Sequence, residues 1–187
     1  MVDHTFACVK FSMVIQTNGE FMKYFISLAI AAAMLTSCAN KTTKTSELNQ
    51  LVDSYNAQAK NIIKNNKKKM SKKLLLTDAK GLIAKAGPIL MAYSKRYPQC
   101  KSFLTGVINS ADKMQRLSLP QIEKQYHEGA ALPKSDDICY DAKELIVHPA
   151  TVVILSKMKK LGKDERGQIT DEIEEVLGHL EMFKEAI

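Results

Sequence analysis

Three histidines in the C-terminal two-thirds of the chain each follow a glutamate by four residues: Glu123 and His127, Glu144 and His148, Glu175 and His179. On a helix, residues four apart share a face, so each pair can aim two ligands in one direction. Imidazole nitrogen and carboxylate oxygen together suit zinc, iron or copper. Helical bundles build such sites from side chains on facing helices, although di-iron carboxylate bundles use a Glu-x-x-His spacing that differs from this one. The plainer chemistry of the same pairs is a surface contact worth a few tenths of a kcal/mol. That reading suits Glu175 and His179, which lie in an acid-rich stretch. His148 differs, because Leu145, Ile146, Val147 and Pro149 surround it and a buried imidazole needs a polar partner. His127, Glu144 and His148 are therefore the candidate ligands for a transition metal or haem, against the competing reading of a hydrogen-bonded core histidine.

A second group is electrostatic. Lys64, Lys67, Lys68, Lys69, Lys72 and Lys73 follow Lys60 with no acid between them, whereas residues 164–187 hold mostly Asp and Glu among their charged residues. The lysines are candidates for binding an anionic surface; the alternative is a solvated helix face offset by the acidic C-terminal segment. Nucleic acid is not expected, since no aromatic platform or recognition motif accompanies the lysines. Motifs of catalysis are missing too: there is no G-x-S-x-G, no P-loop, no H-E-x-x-H and no Gly-rich dinucleotide turn. The chain is not expected to be an enzyme.

The elements that must position these residues are helical. Apolar residues make up 45% of the 187, and Gly (8) and Pro (5) are scarce, which argues against a turn-rich β sandwich. Leu48, Leu51, Val52, Tyr55, Ala59, Ile62 and Ile63 recur at three- and four-residue steps. A second helical pattern covers about Thr77 to Tyr97, where Gly87-Pro88 should kink or divide it and Pro98 should end it. A third carries Phe103, Leu104, Val107, Ile108, Ala111, Met114 and Leu117. A short helix follows Pro120 up to Gly129. Asp136 to Leu161 reads as helical, is apolar on most sides between Leu145 and Leu155, and should be the central buried helix, bent at Pro149. Thr170 reads as the N-cap of a last helix, with Asp171 and Glu172 in its first turn. No stretch alternates with period two for long, and no repeat is evident. The expected fold is all-α, a compact bundle of four or more helices over residues 48–187.

Ahead of this domain the chain reads MKYFISLAIAAAMLTSC from Met22. A short basic start is followed by an apolar run of eleven residues, Tyr24 to Met34, broken only by Ser27 and too short to span a bilayer. Leu35-Thr36-Ser37-Cys38 then resembles the lipobox of bacterial lipoproteins. The resemblance covers Met22 to Cys38 only. It implies a signal peptide over 22–37, diacylglycerol on the Cys38 sulfur, cleavage before Cys38 and acylation of the new N-terminus. Several acyl chains are needed because one alone anchors only marginally. Ala39, in place of the Asp that retains enteric lipoproteins at the inner membrane, implies the outer membrane. Residues 38–47 read as a lipidated polar tether, and residues 1–21 as an extension upstream of the native start.

Export sets the redox setting of the two other cysteines of the mature chain, Cys100 and Cys139. An isolated pair in an oxidising envelope is expected to form a disulfide, and neither belongs to a C-x-x-C motif. The net charge of +7 survives loss of the leader. The partners expected are the membrane, through the lipid, and an anionic envelope polymer or another envelope protein. The sequence thus points to a lipid-anchored envelope protein with a non-catalytic structural, binding or assembly role and no required cofactor. The second expectation is a metal- or haem-binding bundle, and an envelope hydrolase comes last.

Overall fold

The computed structural model describes residues 47–186, and within that range every regular element is helical. The leader, the Cys38 lipobox and residues 1–21 lie outside the described residues. Helix α1 covers residues 47–67. Helix α2 is Lys72–Arg96, α3 is Lys101–Met114, α4 is Leu119–Ile122, α5 is Asp137–Lys157 and α6 is Lys163–Ala186. No helix among the described residues is long and apolar enough to cross a membrane.

Helix α5 is the axis of the bundle, packed by α2, α3, α4 and α6. Its sequence is apolar on nearly every side, so no face of it can meet water without loss. From Ala142 to Ser156 every residue is buried. The helices around it supply single stripes. Val52, Tyr55, Ala59 and Ile62 come from α1, Leu75, Leu82, Ile89 and Leu90 from α2, and Ile169, Ile173, Val176 and Leu180 from α6.

Helix α2 is one continuous element with Pro88 inside it, starting at Lys72. Of the kink or division expected at Gly87-Pro88, division does not occur: apolar residues on both sides of the proline (Leu82, Ile83, Ile89, Leu90) feed the same core, and that packing holds the helix together past Pro88. Ser71 caps it by accepting from the Leu74 N–H at 3.3 Å. Pro149 is likewise inside α5. A proline has no N–H for the carbonyl four residues back. In α5 that carbonyl belongs to Leu145, and the Tyr55 hydroxyl of α1 donates to it at 2.9 Å.

The expected start of the last helix at Thr170 is overturned. Helix α6 begins at Lys163, where Glu165 accepts from the Gly162 N–H at 2.7 Å. Thr170 is mid-helix. Its hydroxyl donates to the Arg166 carbonyl one turn back and accepts from Asn66 Nδ2, so the oxygen that would cap a helix is engaged inside one.

Between α3 and α5, Ser118 starts a short helix, its N–H donating to Gln121 Oε1 at 2.9 Å. Helix α4 then widens into a π-helical turn over Glu123–His127, closed by the Glu128 N–H on the Glu123 carbonyl five residues back, at 2.9 Å. Gly129 comes next but one with φ +80°, and a Cβ there would sit 2.9 Å from the Tyr140 hydroxyl, so this turn requires glycine. The Cys100 and Cys139 sulfurs lie at disulfide distance, with their Cα atoms 5.3 Å apart, inside the usual range for a bridge. The pair ties the start of α3 to the start of α5.

Candidate metal centre

The three expected ligands come together. Ligand atoms of His127, Glu144 and His148 all lie within 4.8 Å of one another. Glu144 and His148 sit one turn apart on α5, as their spacing requires. His127 reaches them from the π-helical turn, whose wider winding sets its direction.

The two imidazoles share an arrangement. Glu144 Oε2 is 3.7 Å from His127 Nδ1 and 3.7 Å from His148 Nε2. The opposite ring nitrogens turn to Glu172 on α6: His148 Nδ1 is 2.8 Å from Glu172 Oε2, and His127 Nε2 is 3.9 Å from it. The rings meet edge to face with centroids 4.6 Å apart. Glu172 thus stands behind both histidines and Glu144 in front of both.

The short contact suits one tautomer of the neutral ring. With Nδ1–H of His148 donated to the Glu172 carboxylate, Nε2 carries a lone pair directed toward Glu144. His148 is 1% exposed and Glu144 is 8% exposed. Neither His148 Nε2 nor Glu144 Oε2 has a hydrogen-bond partner. In that tautomer the two buried atoms, 3.7 Å apart with no hydrogen bond to either, form a costly pair alone and a fitting pair around a cation. Zinc held at about 2.0–2.1 Å in tetrahedral geometry spaces its ligand atoms roughly 3.3–3.5 Å apart. The two 3.7 Å separations to Glu144 are close to this, and all three ligand atoms lie within 4.8 Å, so closing on the ion requires an inward turn of the half-buried His127. A carboxylate behind a ligating imidazole is the usual support of a metal site, fixing ring orientation and raising basicity.

Electrostatics follows the same geometry. Burial pushes the Glu172 carboxyl up, but its contacts with His127 and His148 outweigh that and hold it below the ordinary carboxylate range. Burial pushes His127 down, yet its contact with Glu172 and the charges of Glu144, Glu172 and Glu123 leave it raised. Lys143, 2% exposed, forms an ion pair with Glu144 Oε1. It offsets the carboxylate charge that a buried site would otherwise carry unbalanced.

Of the third pair, Glu175 is exposed, as a surface residue should be, whereas His179 is only partly exposed. Glu175 points to His148, with Oε2 3.7 Å from Nδ1. His179 faces Asp141 at 3.8 Å and stacks on His148 with centroids 5.6 Å apart. Its pKa is lowered, first by burial. The acid-rich helix turns Glu172 and His179 partly inward because Ile169, Ile173, Val176 and Leu180 must reach α5, and these two border that stripe.

Sequence reasoning missed Glu172 and Lys143. Glu172 reads as a helix-dipole partner when the helix is started at Thr170. Its signal lies in its position three residues after Ile169 and four before Val176, which puts it on the buried edge. Lys143 carries no such signal, since lysine next to glutamate reads as solvent-facing.

The basic run has a different fate. Lys64, Lys67, Lys68, Lys69 and Lys73 are exposed around the α1–α2 turn. Lys72 instead donates to the Met158 and Lys159 carbonyls at 2.8 and 3.2 Å, closing the C-terminal end of α5. Among the described residues none of the six is ion-paired with the acidic helix.

Comparison of the chain with protein-family models, with curated proteins and with solved structures found no significant match.

Proposed function

We propose that the helical domain binds a divalent transition-metal ion, zinc foremost, through His127 Nδ1, Glu144 Oε2 and His148 Nε2, with Glu172 as the supporting carboxylate. One observation carries the reading: two buried ligand atoms, His148 Nε2 and Glu144 Oε2, face each other without a donor. Three protein ligands leave a fourth tetrahedral position for water or a group from a partner. A single ion suits this geometry better than haem, because a macrocycle ligated by both histidines must lie between rings whose centroids are 4.6 Å apart.

The setting belongs to the same proposal. The lipobox-like stretch ending at Cys38 supports a lipid-anchored envelope protein, outer membrane by the residue at position 39, with the domain acting as a binding or assembly module rather than a catalyst. Labelling with a radioactive fatty acid and intact mass test the anchor: Cys38→Ala should abolish both the label and the cleavage.

For the metal, the purified protein is stripped with chelator and titrated with zinc, and with cobalt for its ligand-field spectrum. One equivalent should bind, with a tetrahedral cobalt spectrum. His148→Ala and Glu144→Gln should lose it, and His179→Ala should keep it. A protein that stays folded by circular dichroism and takes up neither ion would overturn the reading.

A further inference from the structure

A separate group of residues lies at the first turns of α6, on the N-terminal side of those that face the histidine cluster. A cavity of about 500 Å³ opens between the C-terminal end of α1 and the first turns of α6. Four of its nine lining residues are cations (Lys67, Lys69, Lys163 and Arg166), and none is an acid. Like charges around one hollow repel, and nothing in the wall offsets them.

Arg166 is the fixed member. Its Nη1 donates to the Asn66 side-chain oxygen at 3.0 Å and to the Asn66 carbonyl at 3.4 Å, and Nη2 donates to the Met70 carbonyl at 3.1 Å. All three acceptors are neutral, so the guanidinium is held in place with its charge uncancelled. Asn66, 3% exposed, returns the contact through Nδ2 to the Arg166 carbonyl at 2.6 Å and to Thr170 at 3.0 Å. The nearest acid in the sequence, Glu165, spends one carboxylate oxygen on the Gly162 N–H at 2.7 Å.

Lys69 adds a backbone observation. Its φ is +55°. The Met70 N–H bonds the Asn65 carbonyl and the Lys69 N–H bonds the Asn66 carbonyl, the helix-ending pattern in which glycine is favoured at this position. A lysine sits there in a strained conformation and lines the cavity.

We propose that this cavity binds a phosphate group, with Arg166 as the oriented guanidinium and Lys67, Lys69 and Lys163 as mobile point charges around it. A phosphate offers several acceptor oxygens and more than one negative charge, which matches a fixed guanidinium that keeps its Nε–H and one Nη2–H unspent, flanked by ammonium groups. The group could be free phosphate or the phosphomonoester of a lipid headgroup, and the test separates them.

Chelator-treated protein, which removes any metal-bound phosphate from consideration, is titrated with inorganic phosphate by calorimetry. It is also floated with phosphatidylcholine vesicles with and without phosphatidic acid. Saturable binding of inorganic phosphate assigns the free ion. Flotation only with phosphatidic acid, displaced by inorganic phosphate, assigns the headgroup. In either case Lys67→Gln with Lys163→Gln should weaken binding by at least about tenfold. These residues are exposed, so the fold should survive. Lys80→Gln with Lys95→Gln, exposed on α2 away from the cavity, should leave binding unchanged. Equal losses in the two double variants, or no binding in either format, would overturn the proposal.

Discussion

The Tyr55 hydroxyl donates to the Leu145 carbonyl at 2.9 Å across 90 positions of sequence, and Leu145 is four residues before Pro149. The proline leaves that carbonyl without its helical N–H, and a tyrosine from the first helix supplies the missing donor. The bond therefore satisfies the break in the central helix and pins α1 to α5 one residue from Glu144. Both ends are fully buried, so neither can turn to water instead.

Tyr55→Phe should destabilise the fold by about 1–3 kcal/mol, the cost of a buried acceptor left without a donor. The loss should shrink in a Pro149→Ala background, where the restored N–H can serve Leu145. Urea denaturation of the four proteins in this double-mutant cycle measures the coupling, and strict additivity would mean that the tyrosine acts only by packing.

Glu172→Gln should weaken zinc binding by about 10- to 100-fold without abolishing it. The amide can still accept from His148 Nδ1–H but lacks the charge that raises imidazole basicity. Competition with a coloured chelator measures the constant. An unchanged affinity would remove Glu172 from the site and leave it a partner in the protein fold alone.

Reduction of the Cys100–Cys139 pair should lower stability by roughly 3–4 kcal/mol, the loop-closure value for the 39-residue separation. Guanidinium midpoints with and without reductant test this, with the Cys100→Ser, Cys139→Ser double variant as the reference. A midpoint insensitive to reductant would show that the α3 and α5 starts are held by packing without the bridge.

Stability should decline on the alkaline side. Burial, with Tyr97 and Asp141 nearby, pushes Tyr93 up to about 12, and burial holds Tyr55 well above its ordinary range. Below about pH 10 both phenols are protonated in folded and unfolded chains, and their full contribution is present. As pH rises from there toward about 12 the unfolded chain ionises first, so stability is lost. Urea midpoints measured from neutral pH upward should fall above that point, and less steeply in Tyr93→Phe. Parallel slopes for variant and wild type would place the effect elsewhere.

Periodicity made the bundle legible because α5 is apolar on all sides and the other helices carry clean stripes. The Glu144 and His148 pair was legible for the same reason, since an i, i+4 polar pair inside an apolar run has nowhere else to point. His127 was suggested by residue type, but its approach depends on a π-helical turn that no local pattern announces. Thr170 misled because a threonine ahead of two acids is an N-cap signal, and only the contact with Asn66, 104 positions away, shows its hydroxyl used otherwise. Glu172 was lost with that error. The cavity around Arg166 was half visible, as a lysine run whose counterparts on α6 are distant in sequence.

The π-helical turn makes the cluster sensitive to chain length as well as to residue type. It holds one residue more than an α-helical closure of the same turn would. Deleting one residue between Ser118 and Glu123 would swing the next turn by about 100° around the helix axis, carrying His127 off Glu144 with every ligand still encoded. Chains that keep all the ligands but differ by a single residue in this segment should then differ in whether the ring arrives, and counting residues from the Ser118 cap to the histidine would sort them before any ligand is compared.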